Sequence, residues 1–307
     1  MLRRILVGLD GSPLAETILQ TVRALAARLG SEIVLLHVTH VPEMVRAMDP
    51  GPTLGEVVEQ ERVRAQSYLE KVTERIAGAG FAVQTAVCAG EAAAEIVRYA
   101  ERERVDLIAL ATHGRSGMQR WVYGSVADAV LHGTTAPLLL LRPTADGAAP
   151  SPEVRRLVVP LDGSPLAEAA LSMAEELARA LGVPIVLFRV VEFVGLAFSA
   201  DPFGSPYFDY QGILDILRQD AEQYVNKLAG DLRGKGLTVE TRAPIGIPVE
   251  AITALARERA GSLIVLSTHG RSGWRALMLG SVARRVVLLA SEPVLVMRPA
   301  DAQTRPR

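Results

Sequence analysis

The chain alternates short apolar runs with longer amphipathic stretches, a pattern typical of a parallel sheet covered by helices. The runs predict strands near 3–9, 32–38, 82–88, 105–111 and 137–141 in the first half. They predict strands near 156–161, 184–191, 237–243, 262–267 and 293–297 in the second half. Predicted helices of the first half lie near 13–29, 52–79, 91–103 and 124–133. We therefore expect an α/β protein with two tandem open five-stranded parallel sheets, Rossmann-like, with helices on both faces.

Two glycine-containing motifs occur once in each half, in the same order. Leu-Asp-Gly-Ser-Pro-Leu-Ala-Glu occupies 9–16 and again 161–168. Thr-His-Gly-Arg-Ser-Gly, followed by Gly-Ser, occupies 112–125 and again 268–281. Recurrence half a chain apart indicates a duplicated domain. We predict domains over 1–143 and 154–307, joined by a linker of proline and small residues at 144–153.

Both motifs fall where ligands bind in open parallel sheets. Such ligands lie at the carboxyl ends of the strands, where the strand order reverses. Asp10 and Asp162 follow the first strand of each half, and the glycine loops follow the fourth. In the order 3-2-1-4-5 these two strands are neighbours, so the aspartate and the loop would face each other across one crevice in each half.

The glycine loops lead into predicted helices at Ser125 and Ser281. Glycines let backbone amides approach a phosphate closely, and a helix N-terminus adds N–H groups and a favourable dipole. The alternative is that the glycines only permit tight turns and the serines only cap helices. The ordered set occurs twice at a switch point, which favours an anion-binding loop.

Asp10 and Asp162 have two compatible interpretations. Each carboxylate can accept hydrogen bonds from ribose hydroxyls or hold a divalent cation that bridges phosphates. Each can also form an Asx-turn that accepts from local amides ahead of the Ser-Pro helix start.

Composition narrows the classes of partner. The 307 residues are 49% hydrophobic, with 33 Lys and Arg against 34 Asp and Glu. This near-neutral balance lacks the basic footprint of a nucleic-acid-binding protein. No apolar run reaches the roughly 18–20 residues that a membrane span needs. We therefore expect a cytoplasmic protein that binds neither nucleic acid nor membrane.

Common catalytic motifs are missing from the sequence. None of Lys71, Lys227 and Lys235 is followed by Ser or Thr, so the phosphate-binding P-loop is absent. No Gly-x-Gly-x-x-Gly follows the first strand, and neither His-Glu-x-x-His nor Gly-x-Ser-x-Gly occurs. Cys88 is the single cysteine, which excludes an intrachain disulfide. These observations indicate no dedicated catalytic centre.

Taken together, the motifs resemble the universal stress protein family in its tandem form, over essentially the whole chain. ATP-binding members of that family carry Gly-x2-Gly-x9-Gly-Ser/Thr after the fourth strand and an aspartate after the first. Residues 114–125 and 270–281 fit the Gly-x9-Gly-Ser part. The first glycine of the motif falls on Ala111 in one half and on Ser267 in the other. Both residues are small, so a close approach of the backbone to a ligand remains feasible.

The resemblance implies an adenine nucleotide α-hydrolase-like fold with strand order 3-2-1-4-5 and a bound ATP, accompanied by Mg²⁺ or Mn²⁺. By position, it implies adenine contacts from Gly8, Val38, Pro160 and Val190. It implies ribose contacts from Asp10 and Asp162, which are also the candidate ligands of the divalent cation. It implies a close approach of the backbone to the ribose or phosphates at Ala111 and Ser267. It implies contacts to the phosphates from Gly114, Gly124, Ser125, Val126, Gly270, Gly280, Ser281 and Val282.

The resemblance further implies an ATP-binding stress protein whose nucleotide occupancy regulates conformation or partner binding. One alternative is a slow ATPase or nucleotide-transferring enzyme, and another is a dimerisation module without nucleotide.

The resemblance also bears on assembly. Members of this family tend to pair through the fifth strand, and the strands at 137–141 and 293–297 are apolar enough to make poor exposed edges. We predict that these strands pair within one chain and that two chains associate as a homodimer. The alternative is that helices merely cover both strands. An aromatic-rich segment at 193–210 would either close over a pocket or pack against the protein, and packing is favoured.

Overall fold

The computed structural model describes residues 2–39, 52–78, 80–112, 124–143, 150–192, 210–267 and 280–298. The predictions for Gly114, Gly270, linker residues 144–149 and the aromatic residues 193–209 lie outside this part of the chain.

The first half follows the predicted alternation of strands and helices. Its strands are β1 Arg4–Leu9, β2 Glu32–Thr39, β3 Val83–Ala89, β4 Leu107–Ala111 and β5 Leu138–Leu141. Its helices are α1 Pro13–Glu16, α2 Ile18–Leu29, α3 Pro52–Ile76, α4 Ala92–Arg102 and α5 Ser125–Gly133. The predicted helix 13–29 is divided at Thr17, whose hydroxyl donates to the Leu14 carbonyl at 2.6 Å. The second half has the same division at Ala169, which lacks a hydroxyl. The feature that both breaks share is an amide donating three residues back, from Thr17 to Leu14 and from Ala169 to Leu166, both at 3.2 Å.

The second half repeats the plan. Its strands are β6 Arg156–Pro160, β7 Ile185–Phe188, β8 Val239–Arg242, β9 Ser262–Ser267 and β10 Val294–Met297. Its helices are α6 Pro165–Glu168, α7 Ala170–Leu181, α8 Tyr210–Gly234, α9 Pro248–Arg257 and α10 Ser281–Leu289. The strand predicted over 184–191 ends at Phe188. Beyond it the neighbouring segment carries Pro244, which has no N–H to donate, so the regular ladder is interrupted there and only a single parallel bridge joins Val191 to Ile245.

Within the described residues the strands form one continuous sheet in the order β3-β2-β1-β4-β5-β10-β9-β6-β7-β8. Each half has the predicted order 3-2-1-4-5, and its strand pairs are parallel. The two open sheets are therefore not separate, since they join edge to edge through β5 and β10. The expected order is confirmed, and the joined sheet is what the structure adds to it.

The joint between the halves is an antiparallel pair of apolar strands. Leu138 lies opposite Val296, Leu139 opposite Leu295, and Leu140 opposite Val294. Leu139 and Leu295 are equivalent residues of the two halves, so a pseudo-two-fold axis passes between them. This is the intrachain pairing of 137–141 with 293–297 that the sequence predicts.

Hydrophobic side chains cover both faces of the sheet. Along β1, Ile5 and Val7 pack into the core on one face, while Leu6 packs into the core on the other. Such strands are apolar at successive positions because helices bury both of their faces. In the part of the chain described, no helix combines the length and the apolar character needed to cross a bilayer.

Shortening the side chains at the centre of the joint tests how much the joint contributes to the stability of the fold. Leu139 and Leu295 are 0% and 1% exposed, so we expect Leu139→Ala and Leu295→Ala each to lower the free energy of unfolding by about 2–5 kcal/mol. Their pseudo-symmetric positions predict similar losses, measured by urea unfolding. Val63→Ala, at a side chain that is 50% exposed, serves as the control. A loss at Leu139 no larger than the loss at Val63 would contradict this account of the joint.

Candidate functional site

The crevice of the second half lies where the strand order reverses around β6. This strand pairs with β9 on one side and with β7 on the other, all three running parallel. Their carboxyl ends therefore share one edge of the sheet. Asp162 follows β6, Ser267 ends β9, and Arg189 and Val190 follow β7.

Local hydrogen bonds shape the turn that carries the aspartate in each half. Asp10 Oδ1 accepts from the Ser12 amide at 2.9 Å, and Asp162 Oδ1 accepts from the Ser164 amide at 2.8 Å. The intervening Gly163 has φ of 89°, a left-handed conformation that favours glycine. The Asx-turn interpretation is thus confirmed in both halves.

The following serine begins the short helix after each turn. Ser12 Oγ accepts from the Ala15 amide, and Ser164 Oγ accepts from the Ala167 amide, both at 3.1 Å. Each serine is therefore an N-cap, followed by a proline in the first helical turn. The two copies of the motif hold their aspartates in the same geometry.

A cavity of about 430 Å³ opens at this edge of the second half. Its wall includes every described residue that the sequence assigns to the second site, namely Pro160, Asp162, Val190, Ser267, Gly280, Ser281 and Val282. They come from β6, β9, α10 and the segment after β7, which lie far apart in the sequence. The structure therefore brings the predicted set of this half together around one space.

The cavity wall has an apolar part and a polar part. Phe188, Ile252 and Leu266 contribute apolar surface, suited to a flat aromatic ring. Gly280 is the N-cap of α10 and makes no side-chain cap hydrogen bond. The N-terminus of α10, with the positive end of its dipole, lies at the wall of the cavity that Asp162 also lines. This arrangement suits a ligand that has an apolar ring at one end and an anionic group at the other.

Arg189 and Asp220, which line the same cavity, belong to a cluster that the sequence motifs did not indicate. The Arg189 guanidinium lies 4.8 Å from the centre of the Tyr224 ring, and its Nη1 lies 3.2 Å from Asp220 Oδ2. The Tyr224 hydroxyl donates to Glu168 Oε1 at 2.8 Å. Burial, reinforced by this hydrogen bond, raises the pKa of Tyr224, so the phenol keeps its proton and donates.

The first half has a related cluster in which a different residue takes the place of the arginine. Tyr68 donates to Glu16 Oε1 at 2.9 Å, as Tyr224 does to Glu168. His37 stands at the position of Arg189, with its ring centre 5.8 Å from that of Tyr68 in an edge-on contact. The recurrence of this Glu and Tyr pair in both halves is the sequence signal that could have found the cluster.

The described residues of the first site occupy matching elements. Gly8 lies in β1, Val38 in β2 and Ala111 at the end of β4, while Gly124, Ser125 and Val126 begin α5. The Gly124 amide donates to the Thr112 carbonyl at 2.8 Å, which ties the start of α5 to the end of β4. These contacts bring Ala111 and Gly124 to the same edge of the sheet as Asp10.

Gly8 and Pro160 occupy equivalent positions but meet different surroundings. A Cβ added at Gly8 would lie 2.5 Å from Leu110 Cδ2 and 3.3 Å from Ile96 Cδ1. A side chain at Gly8 would therefore displace the buried Leu110 side chain, whereas the second half accommodates a proline ring on its cavity wall.

The close packing around Gly8 predicts that a side chain added there destabilises the protein more than a side chain added at Gly280. Gly8→Ala would force the buried Leu110 side chain to move, and we expect it to lower the free energy of unfolding by about 1–3 kcal/mol. Gly280→Ala is the control, because among the described residues no heavy atom beyond its chain neighbours lies within 4 Å of a Cβ added there. Urea unfolding measures both. An equal, small effect of the two variants would show that Leu110 does not constrain Gly8.

Comparison with known proteins agrees with this architecture. A universal stress protein of Mycolicibacterium smegmatis is 26% identical over 301 residues, covering 96% of this chain and 97% of that protein. A universal stress protein of Methanocaldococcus jannaschii is 28% identical over 147 residues, covering 47% of this chain and 82% of that protein. The crystal structure of a universal stress protein from Archaeoglobus fulgidus shares the fold, with a TM-score of 0.66 and 20% identity over 99% of this chain and 98% of that one.

The family model described as the universal stress protein family matches the chain twice, over residues 1–142 and 153–298. These two matches each include one Asp-Gly-Ser-Pro turn and one Gly-Ser helix start. The chain therefore belongs to the universal stress protein family and contains two tandem copies of its domain.

Proposed function

We propose that each half binds ATP and that nucleotide occupancy regulates the conformation of the chain or its binding of a partner. One observation carries the proposal most strongly. The second-half residues at the family's nucleotide positions, distant in sequence, line a single cavity at the switch point of the sheet.

The chemistry of the cavity suits each part of the nucleotide. Pro160 and Val190 offer apolar contacts for adenine, and Asp162 offers a carboxylate to the ribose hydroxyls. The N-terminus of α10 at Gly280 and Ser281 offers N–H groups and a hydroxyl to the phosphates. A volume of about 430 Å³ lies within the ordinary range of small-molecule sites.

A divalent cation forms part of the same proposal. Mg²⁺ or Mn²⁺ would enter with ATP and partly neutralise its phosphates, with Asp10 or Asp162 as the carboxylate nearest to it. Among the described residues no group of three or more His, Cys, Asp and Glu side chains could hold a metal ion. In this proposal the phosphates and water therefore supply most of the ligands.

The composition supports our proposal for the location of the protein, and the family resemblance supports our proposal for its assembly. We expect a cytoplasmic protein, where ATP is available, and a homodimer in addition to the pairing of the two halves. Light scattering of the purified chain, with and without ATP, measures the number of chains in the assembly. A single chain under both conditions would remove the homodimer from the proposal.

Titration calorimetry with ATP and Mg²⁺ tests the nucleotide sites. We expect two equivalents of ATP to bind, and one equivalent to be lost in each of Gly124→Val and Gly280→Val. Among the described residues, no heavy atom beyond its chain neighbours lies within 4 Å of a Cβ added at Gly280, so a side chain there would obstruct the anion position without displacing those residues. The affinity of the obstructed site should fall at least about tenfold, corresponding to roughly 1.4 kcal/mol.

Gly230→Val is the matched control. Gly230 is exposed on α8, far along the helix from the cavity, and apart from the helix backbone no heavy atom of the described residues lies within 4 Å of a Cβ added there. This variant should bind two equivalents like the unmodified chain. Absence of binding at millimolar ATP would overturn the proposal, and the dimerisation module without nucleotide would then be favoured.

A further inference from the structure

We propose that Arg142 and Arg298 are positioning residues that each half supplies to the nucleotide site of the other half. The inference rests on the proposed function, because it concerns the two helices whose N-termini would meet the phosphates. It adds that neither site is complete within its own domain.

The arginines are equivalent residues and make reciprocal contacts across the joint. Arg142 follows β5, and its Nη1 donates to the carbonyl oxygen of Leu288 in the last turn of α10 at 2.9 Å. Arg298 follows β10, and its Nη2 donates to the carbonyl oxygen of Leu131 in the last turn of α5. Each arginine therefore holds the helix of the opposite half.

These contacts match the chemistry of a helix C-terminus. The last carbonyl groups of a helix lack partners within it, and the negative end of the dipole lies there. A guanidinium satisfies both needs, because it donates a charge-assisted hydrogen bond and places a positive charge beside the dipole. Both arginines are partly buried, which reduces screening by solvent.

Holding one end of a short helix also fixes its other end. The nine residues of α5 or α10 span only about 13.5 Å as a rigid unit. Its first residues are Gly124 and Ser125 in one half, and Gly280 and Ser281 in the other. A shift at the last turn would displace the N–H groups that the proposal assigns to the phosphates, where small errors in position weaken binding.

Arg142 also connects the two sites through the backbone. It follows Leu141, whose carbonyl accepts from the Thr112 amide at 2.9 Å, directly after β4. Thr112 in turn accepts from the Gly124 amide at the start of α5. The backbone beside Arg142 thus belongs to the first site, while its side chain holds the helix of the second.

The test is a crossed set of variants in the full chain, with ATP and Mg²⁺ affinity measured by titration calorimetry. Gly124→Val leaves only the second site. In that background we expect Arg142→Gln to weaken ATP binding about three- to tenfold, from the loss of one charge-assisted helix contact. Arg298→Gln should change the affinity less than about twofold in the same background.

The converse background supplies the matched control. Gly280→Val leaves only the first site, and there Arg298→Gln should weaken ATP binding while Arg142→Gln should not. Arg142→Lys should recover part of the affinity lost in Arg142→Gln, because its ammonium, although one bond closer to the backbone, keeps a positive charge beside the C-terminus of α10. Hydrogen exchange of the last turn of α10 should rise in Arg142→Gln and fall again in Arg142→Lys.

The outcomes separate the two proposals. If the unmodified chain binds no ATP, the proposed function fails and this inference fails with it. If ATP binds but Arg142→Gln and Arg298→Gln leave both affinities unchanged, only the inference is overturned. Equal losses at both sites from either variant also overturn it, because they indicate general loosening of the joint. The inference is supported only if Arg142→Gln weakens binding at the second site alone and Arg298→Gln weakens binding at the first site alone.

Discussion

The antiparallel pairing of β5 with β10 is the interaction on which the rest of the structure depends. Each strand is apolar at every position and would be an exposed edge if its half stood alone. Pairing satisfies the backbone groups of both edges and buries Leu139 against Leu295 at the pseudo-two-fold axis. It also brings α5 and α10 close to the opposite half. The position of each candidate site relative to the other is therefore a consequence of this one joint.

The crevices themselves arise from the strand order in each half. Because β6 lies between β7 and β9, its carboxyl end is flanked by segments that leave the sheet towards opposite faces. The Asp-Gly-Ser-Pro turn then needs only local hydrogen bonds to place a carboxylate in the gap. A short helix that begins with glycine and serine completes the wall on the side of β9. Local turn chemistry and long-range strand order thus contribute different parts of one site.

The two halves share this frame but differ on its surface. The Tyr and Glu pair, the Asx-turn and the serine cap recur with nearly the same distances. The side chains at the strand ends do not recur, since His37 is matched by Arg189 and Ala111 by Ser267. Gly8, enclosed by Leu110 and Ile96, is matched by a proline on the cavity wall. Duplication has kept the hydrogen bonds that build the crevice and has varied the residues that line it.

The sequence by itself determined the duplication, the order and approximate positions of the strands, the Ser-Pro helix starts, and the positions of Asp162 and the Gly-Ser helix starts, although the N-caps of α5 and α10 are Gly124 and Gly280 and not the serines. These features depend on neighbouring residues or on the order of elements along the chain, so they can be read from spacing. Only the tertiary structure decided that Arg189 meets Tyr224 and Asp220, that β7 ends at Phe188 opposite Arg242, and that Arg142 and Arg298 each contact a helix of the opposite half. Each of these depends on side chains that are distant in sequence, and on the register with which separate strands and helices pack. No local pattern encodes that register, because it is selected by the combined burial of both faces of the joined sheet.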